Sequence, residues 1–231
     1  MSPVEQPPIG LYTPVRLLGE GSTTYTYLYR HEQRKRYAVF KVLREPLTTT
    51  EQKETFVAHA KLLKKLIHRN IIAVQDFGLH PAGVAEQHYA YLVMQYIESQ
   101  PIAKRFAAGK TTAPDEIRRV LLSLTEALQY AAATHMVHGN LHPGNILQTE
   151  KDVFLTDFSL PSAGGDISTA QPSPALPYQA PEQLRGQTSA ASDQYALAVM
   201  AYEWLCGRRP YLATTREELL AQQEHEPLPA P

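Results

Sequence analysis

The chain has 231 residues, 43% hydrophobic and 19% charged, with a formal net charge of −1. This suits a globular protein of one large domain or two small lobes, and the near-neutral charge offers no basic surface for nucleic acid. The single cysteine, Cys206, excludes an internal disulfide and fits a reducing compartment, while the longest apolar stretch, Tyr195 to Cys206, is interrupted by Glu203 and is too short to span a bilayer. Residues 1–9 are proline-rich, lack the basic and apolar regions of a signal peptide, and are expected to be mobile, so the chain reads as cytoplasmic.

Residues 10–96 read as a first lobe. Strand-like runs at Leu11–Leu18, Thr24–Tyr29 and Arg36–Leu43 are separated by turn-like or polar segments, which predicts an antiparallel meander. Thr50 to Ile67 has Phe56, Ala60, Leu63 and Ile67 at spacings of three and four, which predicts a helix with those residues on its buried face. Ile71–Phe77 and Tyr89–Tyr96 supply two further strands, giving five strands and one helix.

Residues 97–225 turn helical. Thr112-Ala-Pro-Asp115 has a capping hydroxyl, an early proline and an acid, so a helix is expected from there to about Thr134, burying Ile117, Val120, Leu121, Leu124 and Leu128. Ile146–Gln148 and Val153–Thr156 read as short strands around a turn, and residues 159–179 as a long functional loop. Ser192-Asp193 opens a helix over Gln194–Leu205 that Gly207 ends, Thr215–Gln223 forms a last short helix, and residues 226–231 are a proline-rich tail.

Six segments carry the residues of a candidate chemistry. Gly19-Glu-Gly21-Ser-Thr-Thr24-Tyr-Thr26 lies between two strands, where glycines let backbone N–H groups approach phosphate, although alone it is no more than a hairpin turn. Ala38-Val-Phe-Lys41 places a lysine on a strand, and Leu92-Val-Met94-Gln95-Tyr96-Ile97 ends another strand. His138-Gly-Asn-Leu-His-Pro-Gly-Asn145 precedes Ile146-Leu147, and its regular spacing is poorly explained as an ordinary turn. Asp157-Phe-Ser159 follows a strand, and Ala180-Pro-Glu182 with Asp193 comes later.

In this order, over nearly the whole chain from Leu11, the segments resemble those of the eukaryotic-like serine/threonine protein kinases of bacteria. The resemblance implies an α+β, protein-kinase-like bilobal fold: a five-stranded antiparallel N-lobe with one helix, and a mainly helical C-lobe lacking the last helices. It implies ATP and Mg²⁺ as cofactors. Gly19, Gly21 and Thr26 would cover the phosphates, and Lys41 would anchor them. Val39, Met94, Leu147 and the backbone of Gln95 and Ile97 would line the adenine, and Asn145 and Asp157 would hold the metal.

Several positions depart from the family pattern. Asn140 stands where the catalytic aspartate is expected, and an amide cannot take a proton from an attacking hydroxyl. His142 replaces the loop lysine, Gly139 the arginine before the aspartate, His59 the helix glutamate that pairs with Lys41, and Thr24 and Ser159 replace glycines. The expected function is therefore a pseudokinase that binds ATP and Mg²⁺ and signals by shape. A weakly active serine/threonine kinase and a small-molecule phosphotransferase of the aminoglycoside or choline kinase type are the alternatives. Because the family's last two helices have no counterpart, Glu182 is expected to lack its partner, and a protein partner or self-association is expected to cover the exposed surface. Neither nucleic acid nor a membrane segment is implied.

Overall fold

The computed structural model describes residues 8–83, 86–106, 109–159, 173–227 and 229–230, and these form two compact units. The first takes the described residues up to 67 and 72–97; the second takes 68–71, 98–159 and those from 173 onward.

The first unit is an antiparallel sheet of β1 (Tyr12–Glu20), β2 (Thr24–His31), β3 (Tyr37–Leu43), β4 (Val74–Pro81) and β5 (His88–Gln95), in the order β1-β2-β3-β5-β4, with α1 (Thr50–Lys65). The five strands and one helix agree with expectation. Alternation gives the sheet two different faces. On one, Tyr27, Tyr29, Ala38, Phe40, Val42 and Val93 bury an aromatic-rich core, with Tyr29 and Phe40 ring centroids 4.2 Å apart. Burial of each such ring contributes about 1.5–3 kcal/mol, and a good ring pair about 0.5–1.5 kcal/mol more. The other face carries Thr26, Leu28, Val39, Lys41, Leu92 and Met94 in register.

Several boundaries differ from the sequence reading, three of them with a physical reason. β1 runs past Leu18 to Glu20, with irregular register at Pro14/Arg16 and Leu17/Gly19, because an edge strand can place a donor-less proline beside a bulge. The strand expected from Ile71 begins at Val74; Ile71 instead bridges Leu155 in the second unit, where Leu155 N–H donates to Asn70 O at 2.7 Å. α1 opens on a reciprocal Thr49–Gln52 capping box and ends at Lys65. Leu66 then adopts an extended backbone, which turns its side chain inward at 3% exposure and leaves Ile67, expected on the buried face, at 78%.

The second unit holds β6 (Gln100–Pro101), α2 (Pro114–Ala133), β7 (Ile146–Gln148), β8 (Val153–Leu155), α3 (Pro181–Leu184), α4 (Ala190–Cys206) and α5 (Arg216–His225), with β6-β7-β8 as a small sheet. α2 buries Ile117, Val120, Leu124, Ala127 and Ala131, so the buried stripe passes beside Leu121 and Leu128, which are half-buried. Its N-cap is Ala113 and no side chain caps it, so Thr112 does not have the expected role; Pro114 instead occupies a position whose N–H would be unsatisfied anyway. α4 starts before the expected Ser192-Asp193, at an N-cap formed by Ser189, which places Ser192 and Asp193 buried in its first turn. Gly207 ends it at φ 73°, a left-handed geometry that glycine adopts without strain. α5 runs two residues beyond the expected Gln223. Most of the expected 159–179 loop lies outside the described residues, as does most of the N-terminal segment. Among the described residues no helix is long and apolar enough to cross a membrane.

Candidate functional site

In the first unit, the β1–β2 hairpin is closed by Gly21 N–H donating to Thr24 O at 2.8 Å. Thr24 is buried as the first residue of β2, so the exposed tip is 21–23. Glu20 and Tyr25 face each other across the hairpin, and Arg44 braces both: its Nη2 lies 3.1 Å from Glu20 Oε2 and its guanidinium 4.2 Å from the Tyr25 ring centroid. A partly exposed ion pair and one cation–π contact contribute roughly 1 kcal/mol together. Arg44 belongs to no motif, so nothing in the residue pattern points to this brace.

The predicted nucleotide residues of this unit come together in register. Lys41 pairs with Thr26 on one side and Leu92 on the other, and Val39 pairs with Leu28 and Met94, so Thr26, Val39, Lys41 and Met94 share one sheet face. Met94 is buried, Val39 and Ile97 are half-buried, and Gln95 is exposed at the end of β5. His59 is half-buried on α1 beside the Phe56–Ala60–Leu63 stripe, whereas Glu54 is exposed.

In the second unit, the 138–145 segment is fixed by buried hydrogen bonds. Asp193, brought up by the first turn of α4, accepts from His138 N–H at 2.7 Å and Gly139 N–H at 2.9 Å. The fully buried His138 accepts from Asn140 N–H through Nδ1 at 3.3 Å, so its proton is on Nε2, which donates to Thr156 O at 2.9 Å. Burial drives the Asp193 carboxyl up to about 6, against the opposing pull of the Gly139 and His138 N–H groups. Phe158 is buried against the His138 ring at 4.6 Å, and Ser159 N–H donates to His138 O.

Asn145 is buried, and its Nδ2 donates to Asn140 O at 2.9 Å, leaving Oδ1 as the acceptor. Asp157 stands at φ 64°, a left-handed conformation that costs a non-glycine residue about 1–2 kcal/mol and is typical of functional positions. An amide oxygen and a carboxylate are a hard donor set that fits Mg²⁺, which takes one or two carboxylates and completes its shell with phosphate and water. Among the described residues no group of three His, Cys, Asp or Glu could hold a metal alone. The ring of His142 lies over Gly144 and accepts its N–H at 3.1 Å. Leu147 is half-buried on β7 beside Pro101 and Phe154.

Two partners were not legible in the sequence. Gln183 Nε2 donates to Gly139 O at 3.0 Å, tying α3 to the loop. Glu182, expected to have no partner, accepts from Ser192 Oγ at 2.7 Å, because α4 starts early enough to aim Ser192 at it.

The sequence matches the protein kinase domain family over residues 12–229. It is 32% identical to serine/threonine-protein kinase PknA of Mycobacterium tuberculosis, over 95% of this chain and 52% of that protein. It is 28% identical to serine/threonine-protein kinase PrkC of Bacillus subtilis, over 87% of this chain and 31% of that protein. The chain thus spans about a third to a half of these curated relatives' length. Among solved structures, Rad53 residues 1–466 in complex with AMP-PNP superposes with a TM-score of 0.73 at 21% identity, covering 92% of this chain and 53% of that one. A mutant form of the Mycobacterium tuberculosis PknI kinase domain gives 0.67 at 24% identity, covering 87% and 76%. At such identities the likeness establishes the protein-kinase fold.

Proposed function

Because the chain belongs to the protein kinase domain family, among the eukaryotic-like serine/threonine kinases of bacteria, we propose that it binds ATP with Mg²⁺ and transfers phosphate poorly, serving as a signalling pseudokinase. The observation that carries this reading is the amide at Asn140, where the resemblance implies a base, in a loop held by His138, Asp193 and Asn145. The chemistry that Mg²⁺ would supply is neutralisation of the charge that develops during transfer. Asn145 Oδ1 and the Asp157 carboxylate would hold it; Lys41 would anchor phosphate, and Val39, Met94 and Leu147 would enclose adenine. Asn140 would orient an attacking hydroxyl without accepting its proton, a loss worth about 10²–10⁴ in rate. The resemblance implies a glutamate at the position of His59, so the family's lysine–glutamate pair would be replaced here and Lys41 would be positioned by other contacts.

The test compares phosphate transfer from ATP, with Mg²⁺ or Mn²⁺, by the wild type and by Asn140→Asp. The aspartate variant is expected to be faster by about 10²-fold. A wild type at least as fast as the variant would make the chain an active serine/threonine kinase instead. ATP at about 100 times its dissociation constant is expected to raise stability by about 2.7 kcal/mol, and no shift at millimolar ATP removes nucleotide from the proposal.

A further inference from the structure

We propose that Gln183 is a positioning residue for the 138–145 loop, transmitting the seating of α3 on α5 to the peptide between Gly139 and Asn140. Gly139 has φ 69° and no side chain of its own, so its backbone partners set its orientation. Its N–H is taken by Asp193 and its carbonyl by Gln183 Nε2. One residue on, Asn140 O accepts from Asn145 Nδ2, so the peptide that Gln183 holds is continuous with the group that orients Asn145.

The other end of Gln183 is also engaged. Its Oε1 accepts from Ala180 N–H at 3.3 Å, capping α3. α3 is too short to be stable alone, and α5 holds it. Arg216 Nε donates to Leu184 O at 2.6 Å and its Nη2 to Gln183 O at 3.4 Å. Gln223 Nε2 donates to Gln179 O at 2.8 Å, and Leu219 is fully buried against Leu184 and Tyr211. The path runs from α5 through α3 and the Gln183 amide to the loop.

The consequence for metal binding rests on the function proposed above; the mechanical coupling does not. Gln183→Glu keeps the volume and the acceptor for Ala180 N–H but removes the donor to Gly139 O, whereas Gln183→Met removes both. Amide hydrogen exchange over 138–142 is expected to quicken about fivefold in both variants, the equivalent of one neutral hydrogen bond, with exchange in α2 unchanged. By calorimetry, the gain in ATP affinity on adding Mg²⁺ is expected to shrink by about the same factor, with affinity in the absence of metal unchanged. Arg216→Ala, which removes the donors to Leu184 O and Gln183 O, is expected to quicken the same amides about twofold or more. Wild-type exchange in Gln183→Glu, with an effect only in Gln183→Met, would assign Gln183 to capping and overturn the proposal. Unchanged 138–142 exchange in Arg216→Ala would overturn the relay from α5. A wild type that binds no ATP would count against the proposed function, and the exchange results would still decide the role of Gln183.

Discussion

Restoring the arginine expected at position 139 is predicted to destabilise the chain, with part of the loss recovered when Ser159 changes with it. Gly139 lies at φ 69°, and a Cβ built there would stand 2.9 Å from Ser159 Oγ, 3.3 Å from Thr188 Cγ2 and 3.5 Å from Ser159 Cβ. The left-handed backbone costs a residue with a Cβ about 1–2 kcal/mol, and forcing the contact costs about 1–3 kcal/mol on the scale of overpacked interiors. Gly139→Arg should therefore lose roughly 2–5 kcal/mol. Ser159→Gly removes two of the three contacts but neither the backbone strain nor Thr188, so the double variant should recover about 1 kcal/mol relative to additivity. Urea unfolding of the four proteins measures this cycle. A Gly139→Arg variant within about 0.5 kcal/mol of wild type, or a coupling energy near zero, would refute the reasoning. The two departures from the family pattern, glycine at 139 and serine at 159, are then sterically linked.

Two more predictions concern buried carboxylates of α4, one of which, Asp193, supports this loop. Asp193 is raised by burial from its ordinary 3.8 to about 6, so the folded state holds its proton more tightly than the unfolded chain. Its contribution, worth about 3 kcal/mol, is fully present below about pH 4 and is lost as pH rises through about 6. Wild type should gain that much relative to Asp193→Asn between about pH 7 and about pH 4 in urea titrations; a pH-independent difference contradicts the assignment. Tyr178 donates its hydroxyl to the buried Glu203 at 2.6 Å, with Arg209 Nε 3.6 Å from the same carboxylate. Tyr178→Phe should cost about 1.5–3 kcal/mol in unfolding free energy, as expected for a hydrogen bond to a buried charge, and a loss below about 0.5 kcal/mol would show that Arg209 and solvent suffice.

What the sequence made legible depends on how each residue acts. α1 and α2 were visible because Phe56–Leu63 and Ile117–Leu124 repeat with the helical period, and α4 because Ser192-Asp193 and Gly207 bracket it. Their ends were less visible, since a cap is decided by one or two bonds: Ser189, not Ser192, starts α4, and an extended Leu66 exposes Ile67. The same holds at the site. Lys41, Asn140, Asn145 and Asp157 stand at the spacings of the family's motifs, which is what made them legible. Gln183, Arg216 and Ser192 act by hydrogen bonds to main chain or to one neighbour, and such bonds leave no periodic trace. The tyrosine-rich core on the far face of the sheet was also missed, because strand-like residues show that a face is apolar without showing what covers it.

The contacts that preserve the 138–145 loop are independent of the group that would do chemistry there. Asn140 is tied in through its main chain, with its N–H on His138 Nδ1 and its carbonyl under Asn145 Nδ2. His138 is held by Asp193 and Thr156, and Phe158 packs on its ring. Exchanging the side chain at 140 between amide and carboxylate breaks none of these bonds and changes almost no volume. The loop can thus lose its base and keep its shape, which is the condition under which a kinase fold can persist as a binding module. It also makes Asn140→Asp a clean comparison: a rate difference would report proton acceptance at that atom, and equal stability of the two proteins in urea would show that the loop itself had not moved.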